Sequence, residues 1–132
     1  MKFMLMMNAP KGDGDWAVAK WPPQALKAHM DFMRKLHGDL SGAGELVGAE
    51  GLASPERARI VRARTGGAPE VTDGPFPEAK EFLAGYWIVD VDTPDRAYAI
   101  AARASGAPGP DGAPLKMPIE VREVMGCAPP TE

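Results

Sequence analysis

Near the start of the chain, Lys2-Phe3-Met4-Leu5-Met6-Met7-Asn8 has the period of a strand. Phe3, Leu5 and Met7 share one face; Met4 and Met6 share the other. Both faces are apolar, so this strand is expected to be covered on both sides. The turn formers of Ala9-Pro10-Lys11-Gly12-Asp13-Gly14-Asp15-Trp16 predict a loop. A helix is predicted from Pro22 to Leu40, because proline suits the first helical turn. Leu26, Met30, Met33, His37 and Leu40 form its apolar stripe, with Lys27, Asp31, Arg34 and Lys35 on the solvated face. Ser41-Gly42-Ala43-Gly44 ends it.

Two shorter strands follow, from Glu45 to Ala49 and from Arg59 to Arg64, with a turn at Ser54-Pro55-Glu56. Ile60, Arg62 and Arg64 oppose Val61 and Ala63, the alternation of a half-exposed strand. Glu70-Val71-Thr72 adds a brief strand before Asp73-Gly74-Pro75-Phe76. The second strong strand runs from Phe82 to Val91, with Trp87, Val89 and Val91 opposite Tyr86 and Ile88. Thr93 caps a second helix, which Pro94 opens and Ser105 closes. A Gly/Pro loop from Gly106 to Pro114 leads to a last strand between Met117 and Met125.

The order β-α-β-β-(β)-β-α-β predicts an α+β, ferredoxin-like fold, with two helices on one face of a mainly antiparallel sheet. The opposite face of the two strong strands then needs its own cover. A second copy of the chain, packed sheet to sheet as a two-fold homodimer, is the expected answer; a covering loop is the alternative.

The chain has 132 residues, enough for one domain with a real core. The net charge of -3 and the lack of a basic stripe argue against nucleic acid as a partner. The apolar run from Phe3 to Met7 is too short for a signal core or a membrane span, so no membrane association and a cytoplasmic location are expected. The single cysteine, Cys127, excludes an internal disulfide framework and sits in a Pro-rich tail, residues 127–132, that is expected to be flexible.

Asp73 is a candidate general base or ligand-binding acid at the lip of the sheet. It also suits a turn, where it bonds its own backbone. Lys80 and Glu81 are adjacent and so point to opposite faces of a strand. Lys80 beside Asp73 would make an anion-binding pair, and Glu81 near Arg62 a salt bridge. His37, central in the helix stripe, is either a satisfied core residue or a neutral acid/base in a pocket between helix and sheet. His29, at the stripe's edge, is expected to be exposed. Trp16 could cap a pocket, while Trp87 belongs to the core or a dimer interface. The two histidines are too far apart to share a metal, and no ligand motif is present, so neither a metal nor a cofactor is expected. The expected site has Asp73 at the mouth of a cleft near the helix–sheet junction, Lys80 or Arg62 within its reach, and His37 facing it.

Asp73-Gly74-Pro75-Phe76, followed by Glu78, Lys80, Glu81, Leu83, Gly85, Tyr86 and Ile88-Val89-Asp90-Val91, resembles the signature of the DGPF (YCII-related) family. Gly48-Ala49-Glu50-Gly51-Leu52, Val61-Arg62, Asp95, Ala97 and Ile119-Glu120-Val121-Arg122 extend the likeness over residues 1–126. The resemblance implies a dimer of the α+β barrel type. It also implies either a small lyase using a His–Asp pair or a partner of an extracytoplasmic-function sigma-factor pathway. Aligning Gly44-Glu45-Leu46 with the family's first helix end puts the histidine near Met33 and the aspartate near Ala102. Neither acid–base residue is present, although His29 and His37 flank Met33 by one turn on either side. Two functions are therefore expected: a binding or regulatory module, or a cofactor-free enzyme of proton transfer or elimination on a small organic molecule.

Overall fold

The structure, a computed structural model, describes residues 1–11, 20–76 and 79–126. Trp16, the Gly12-Asp13-Gly14 loop, Glu78 and the Cys127 tail lie outside the described residues.

Strand β1 (Lys2–Pro10) pairs antiparallel with β5 (Glu81–Asp90) on one side and β6 (Ile119–Glu123) on the other, and β2 (Leu46–Gly51) closes the far edge beside β5. The order β2-β5-β1-β6 is that of a ferredoxin-like sheet. Helices α1 (Pro23–Gly42) and α2 (Pro94–Ser105) pack on it. Phe3, Leu5, Met7, Trp87 and Val89 alternate into the face that meets Leu36, Leu40, Ala97, Ile100 and Ala104 of the helices. The fold class read from the residue pattern is thus the one observed.

The helix ends follow their residues. Pro23 opens α1. At its other end Gly44 takes φ +72°, its N–H donates to the Ser41 carbonyl, and Glu45 N–H donates to the Leu40 carbonyl. This is the paired closure that a left-handed glycine permits. The Thr93 hydroxyl accepts from Arg96 N–H at 3.3 Å at the start of α2. Arg96 then holds Glu45 through two bonds of 2.8 and 2.9 Å, tying α2 to the entry of β2.

Two expectations are corrected. The segments expected as further strands of the sheet form a separate two-stranded hairpin, β3 (Arg59–Arg62) with β4 (Glu70–Asp73). The edges of β5 are already taken by β1 and β2, so the main sheet offers it no place there. The second correction concerns α1, whose buried line is His29, Leu36 and Leu40; Met30 is 44% exposed. The stripe is rotated because His29, a polar residue, is buried with a partner supplied by a distant loop.

Candidate functional site

Between α1 and the β2–β5 edge lies a cavity of about 240 Å³. Met30, Met33, His29 and His37 face it from the helix, and Met7, Ala49, Ala84 and Trp87 from the sheet. Gly85 and Gly51 oppose each other across the β5–β2 ladder at its edge. The two glycines differ in cause. A Cβ at Gly85 would sit 2.9 Å from the Glu50 carbonyl oxygen, so the close strand approach demands glycine. A Cβ at Gly51 would meet nothing within 4 Å; its missing side chain leaves the cleft mouth open. Glu50 and Tyr86 also border the cavity, but they pair with each other at positions of opposite pleat to Ala49 and Trp87. Alternation therefore directs their side chains to the other face of the sheet.

His37 is half-buried, and its Nε2 accepts a 2.9 Å hydrogen bond from the Trp87 indole N–H. An indole N–H only donates, so Nε2 carries the lone pair and the neutral ring keeps its proton on Nδ1. Burial pushes the His37 imidazole below its ordinary pKa. Protonation would also set two donors against each other at Nε2.

His29 was expected to be exposed and is instead buried. Its Nδ1 lies 2.9 Å from the Pro108 carbonyl, and its ring meets Trp21 edge to face at 5.2 Å. A carbonyl only accepts, so His29 donates from Nδ1. The loop after α2 folds back over the start of α1 through the Pro108–Pro114 bridge and supplies that oxygen. Periodicity within α1 gave no sign of it, because the partner is 79 residues away.

Of the candidate residues singled out in the sequence, His37, His29 and Trp87 meet at this cleft. The others do not join them among the described residues. Asp73 ends β4, its side chain 93% exposed and 3.6 Å from Arg59 Nε. Arg62 lies opposite Glu70 on the same hairpin. Lys80 and Glu81 are exposed at the entry to β5, and Trp16 lies outside the described residues. The expected cluster of Asp73 with Lys80 or Arg62 before His37 is thus split between hairpin and cleft. A second recess lies beneath the hairpin, lined by Leu52, Pro55, Arg57, Pro75 and Phe82 among others.

The model of the YCII-related domain matches residues 1–108. The chain belongs to the YCII-related domain family. No curated protein matches it significantly. Near the places where the resemblance puts the family's His–Asp pair, this YCII-related domain has Met33, on the cleft wall, and Ala102, exposed on α2. Among the described residues no group of three or more His, Cys, Asp or Glu could hold a metal ion. No helix among them is long and apolar enough to cross a membrane.

Proposed function

We propose that this YCII-related domain binds a small, mainly apolar organic molecule in the His37 cleft, as a binding or regulatory module. One observation carries the reading: the Nε2 lone pair of His37, which a general base would use, is already engaged by Trp87. What remains is a methionine-lined hollow with the polarity of a binding pocket. The test is toluene, followed through the methyl resonances of Met7, Met30 and Met33. Saturable shifts are expected in the wild type and none in Gly51→Leu, whose side chain would fill the open mouth. Absence of shifts in the wild type would end the reading.

Homodimerisation belongs to the same proposal. Met4, Met6, Tyr86 and Ile88 are only half-buried on the sheet face away from the helices. Arg122 and Glu120 flank Met4 and Met6 on that face, so a two-fold partner would set each charge against its opposite. Sedimentation giving a monomer at micromolar concentration would refute the dimer. The family resemblance supports a regulatory setting in an extracytoplasmic-function sigma-factor pathway. A two-hybrid assay against a sigma factor encoded beside the gene tests it, and no interaction would remove that partner.

A second reading, cofactor-free proton transfer or elimination, has one observation in its favour. The Pro108 carbonyl fixes the proton of His29 on Nδ1 and so orients that ring as bases are oriented. Turnover of a halogenated or hydroxylated small molecule that is lost in His29→Gln would establish it over simple binding.

A further inference from the structure

Among the described residues the cleft's only charged lining residue is Glu50, whose side chain the strand pleat directs away. Tyr86, its partner across the ladder, is directed away with it, and the other side chains at the wall are methionines, alanines, Trp87 and the two histidines. His29 donates to a backbone carbonyl, and both burial and the indole donor at Nε2 disfavour a charge on His37. A carboxylate or phosphate entering here would shed water and meet no cation. An uncharged molecule faces no such cost.

The one polar atom that His37 still offers is Nδ1. Its ring makes one hydrogen bond, through Nε2 to Trp87. Among the described residues no fully buried side-chain nitrogen or oxygen lacks a partner, so Nδ1–H must be accessible. His37 lines the cleft, and the accessible edge of its ring is therefore a donor whose tautomer the indole fixes. The space suits one ring with a short substituent: an apolar cavity of about 150 Å³ already takes benzene.

We infer that the cleft selects an uncharged, single-ring-sized molecule carrying one hydrogen-bond acceptor, such as a ketone, ester or amide oxygen, which His37 Nδ1–H binds. This rests on the reading of the cleft as a binding site and adds the chemistry of what it takes. Trp87 is the positioning residue: its N–H makes His37 a donor at the cleft rather than an acceptor.

Three probes of matched size separate the possibilities: acetophenone, ethylbenzene and benzoate, titrated into the ¹⁵N-labelled protein. Acetophenone is expected to bind roughly fivefold tighter than ethylbenzene, the worth of one neutral hydrogen bond, and to shift the His37 Nδ1 resonance. Benzoate is expected to bind weakest. His37→Phe should erase the preference for acetophenone over ethylbenzene. His37→Asn, whose amide N–H falls where Nδ1 was, should restore part of it. Equal binding of acetophenone and ethylbenzene, both blocked by Gly51→Leu, would overturn the role of His37 and leave the cleft a binding site. Tightest binding by benzoate would overturn the selection against charge. If none of the three binds, the binding-site reading falls and this inference with it. The wild-type ranking and the shift of the His37 Nδ1 resonance test the proposal without any variant, so it stays falsifiable even where one fails to fold.

Discussion

The α1–β2–β5 cleft and the β3–β4 hairpin are built on opposite terms. The cleft rests on side chains that are almost wholly buried, Trp87 and Met7 among them. The hairpin holds Val61 and Val71 opposite each other at 63% and 57% exposure. Its exit carries the most recognisable motif of the chain, Asp73-Gly74-Pro75-Phe76, and there Gly74 lies against the start of the hairpin. Gly74 N–H donates to the Ala58 carbonyl at 2.9 Å, and a Cβ on Gly74 would come within 3.2 Å of the Ala58 Cβ. Glycine there allows two chain segments to touch. The cleft carries no compact motif; its residues come from β1, α1, β2 and β5. What is most legible as a family mark and what is most suited to chemistry lie in different places.

Paired core and hairpin substitutions would break this comparison first. Leu36, fully buried beneath α1, should lose about 3 kcal/mol on conversion to alanine, from transfer and cavity costs together. Val61→Ala on the hairpin should stay within about 0.5 kcal/mol. Urea unfolding of the two variants, read at constant slope, measures both. A loss at Val61 comparable to that at Leu36 would mean that the hairpin face is buried in the assembled protein. That result would point to a partner seated on it.

The glycine pair sharpens the contrast within the cleft. Gly85→Ala drives a methyl group against the backbone of Glu50 and Gly51, which cannot swing aside, and is expected to cost about 1–3 kcal/mol. Gly51→Ala meets open space and should be neutral or slightly stabilising, by up to about 1 kcal/mol, since glycine weakens a strand. Equal losses at the two positions would show that the β2 edge is packed against something further.

This difference also explains how much of the molecule could be read from its residues. β1, β5 and α2 announce themselves through clean alternation and a Thr-Pro cap, and they lie within two residues of expectation. These features are local. The hairpin's separation from the sheet is not: it follows from which strand edges are already occupied. The cleft depends on Gly51 meeting Gly85, a register between strands far apart in sequence. His29 was misplaced for a similar reason, since a helix pattern counts a histidine as polar until its acceptor is known. His37 was placed towards the sheet correctly because the signal, its position between Met33 and Leu40, is contained in the helix.

Asp73→Asn tests the hairpin side with a smaller effect. An exposed carboxylate 3.6 Å from an exposed arginine contributes little, so stability should change by less than about 0.5 kcal/mol. Acetophenone binding should not change at all. Weakened binding in this variant would return Asp73 to the functional site and place the hairpin over the cleft in the assembled protein.

The finest test of the cleft is its pH dependence. Burial lowers the pKa of His37 in the folded chain, whereas the unfolded chain keeps the ordinary value near 6.5. Between those two values the unfolded state binds more protons, so stability rises with pH across that interval. The contribution is complete above pH 6.5 and declines below it, until the folded ring is also protonated. His37→Phe should flatten this part of the profile. Trp87→Phe should flatten it in part, because the ring stays shielded but loses the donor that opposes protonation at Nε2. Acetophenone binding should hold across that interval and fall only as pH drops through the lowered pKa of the folded ring, where protonation of Nε2 breaks the indole contact. A level wild-type profile would mean that burial leaves the pKa of His37 unshifted, whereas a stability that rises as pH falls through 6.5 would mean that His37 is charged in the folded protein. The cleft would then have a cation at its wall, and benzoate rather than acetophenone would be the probe to bind.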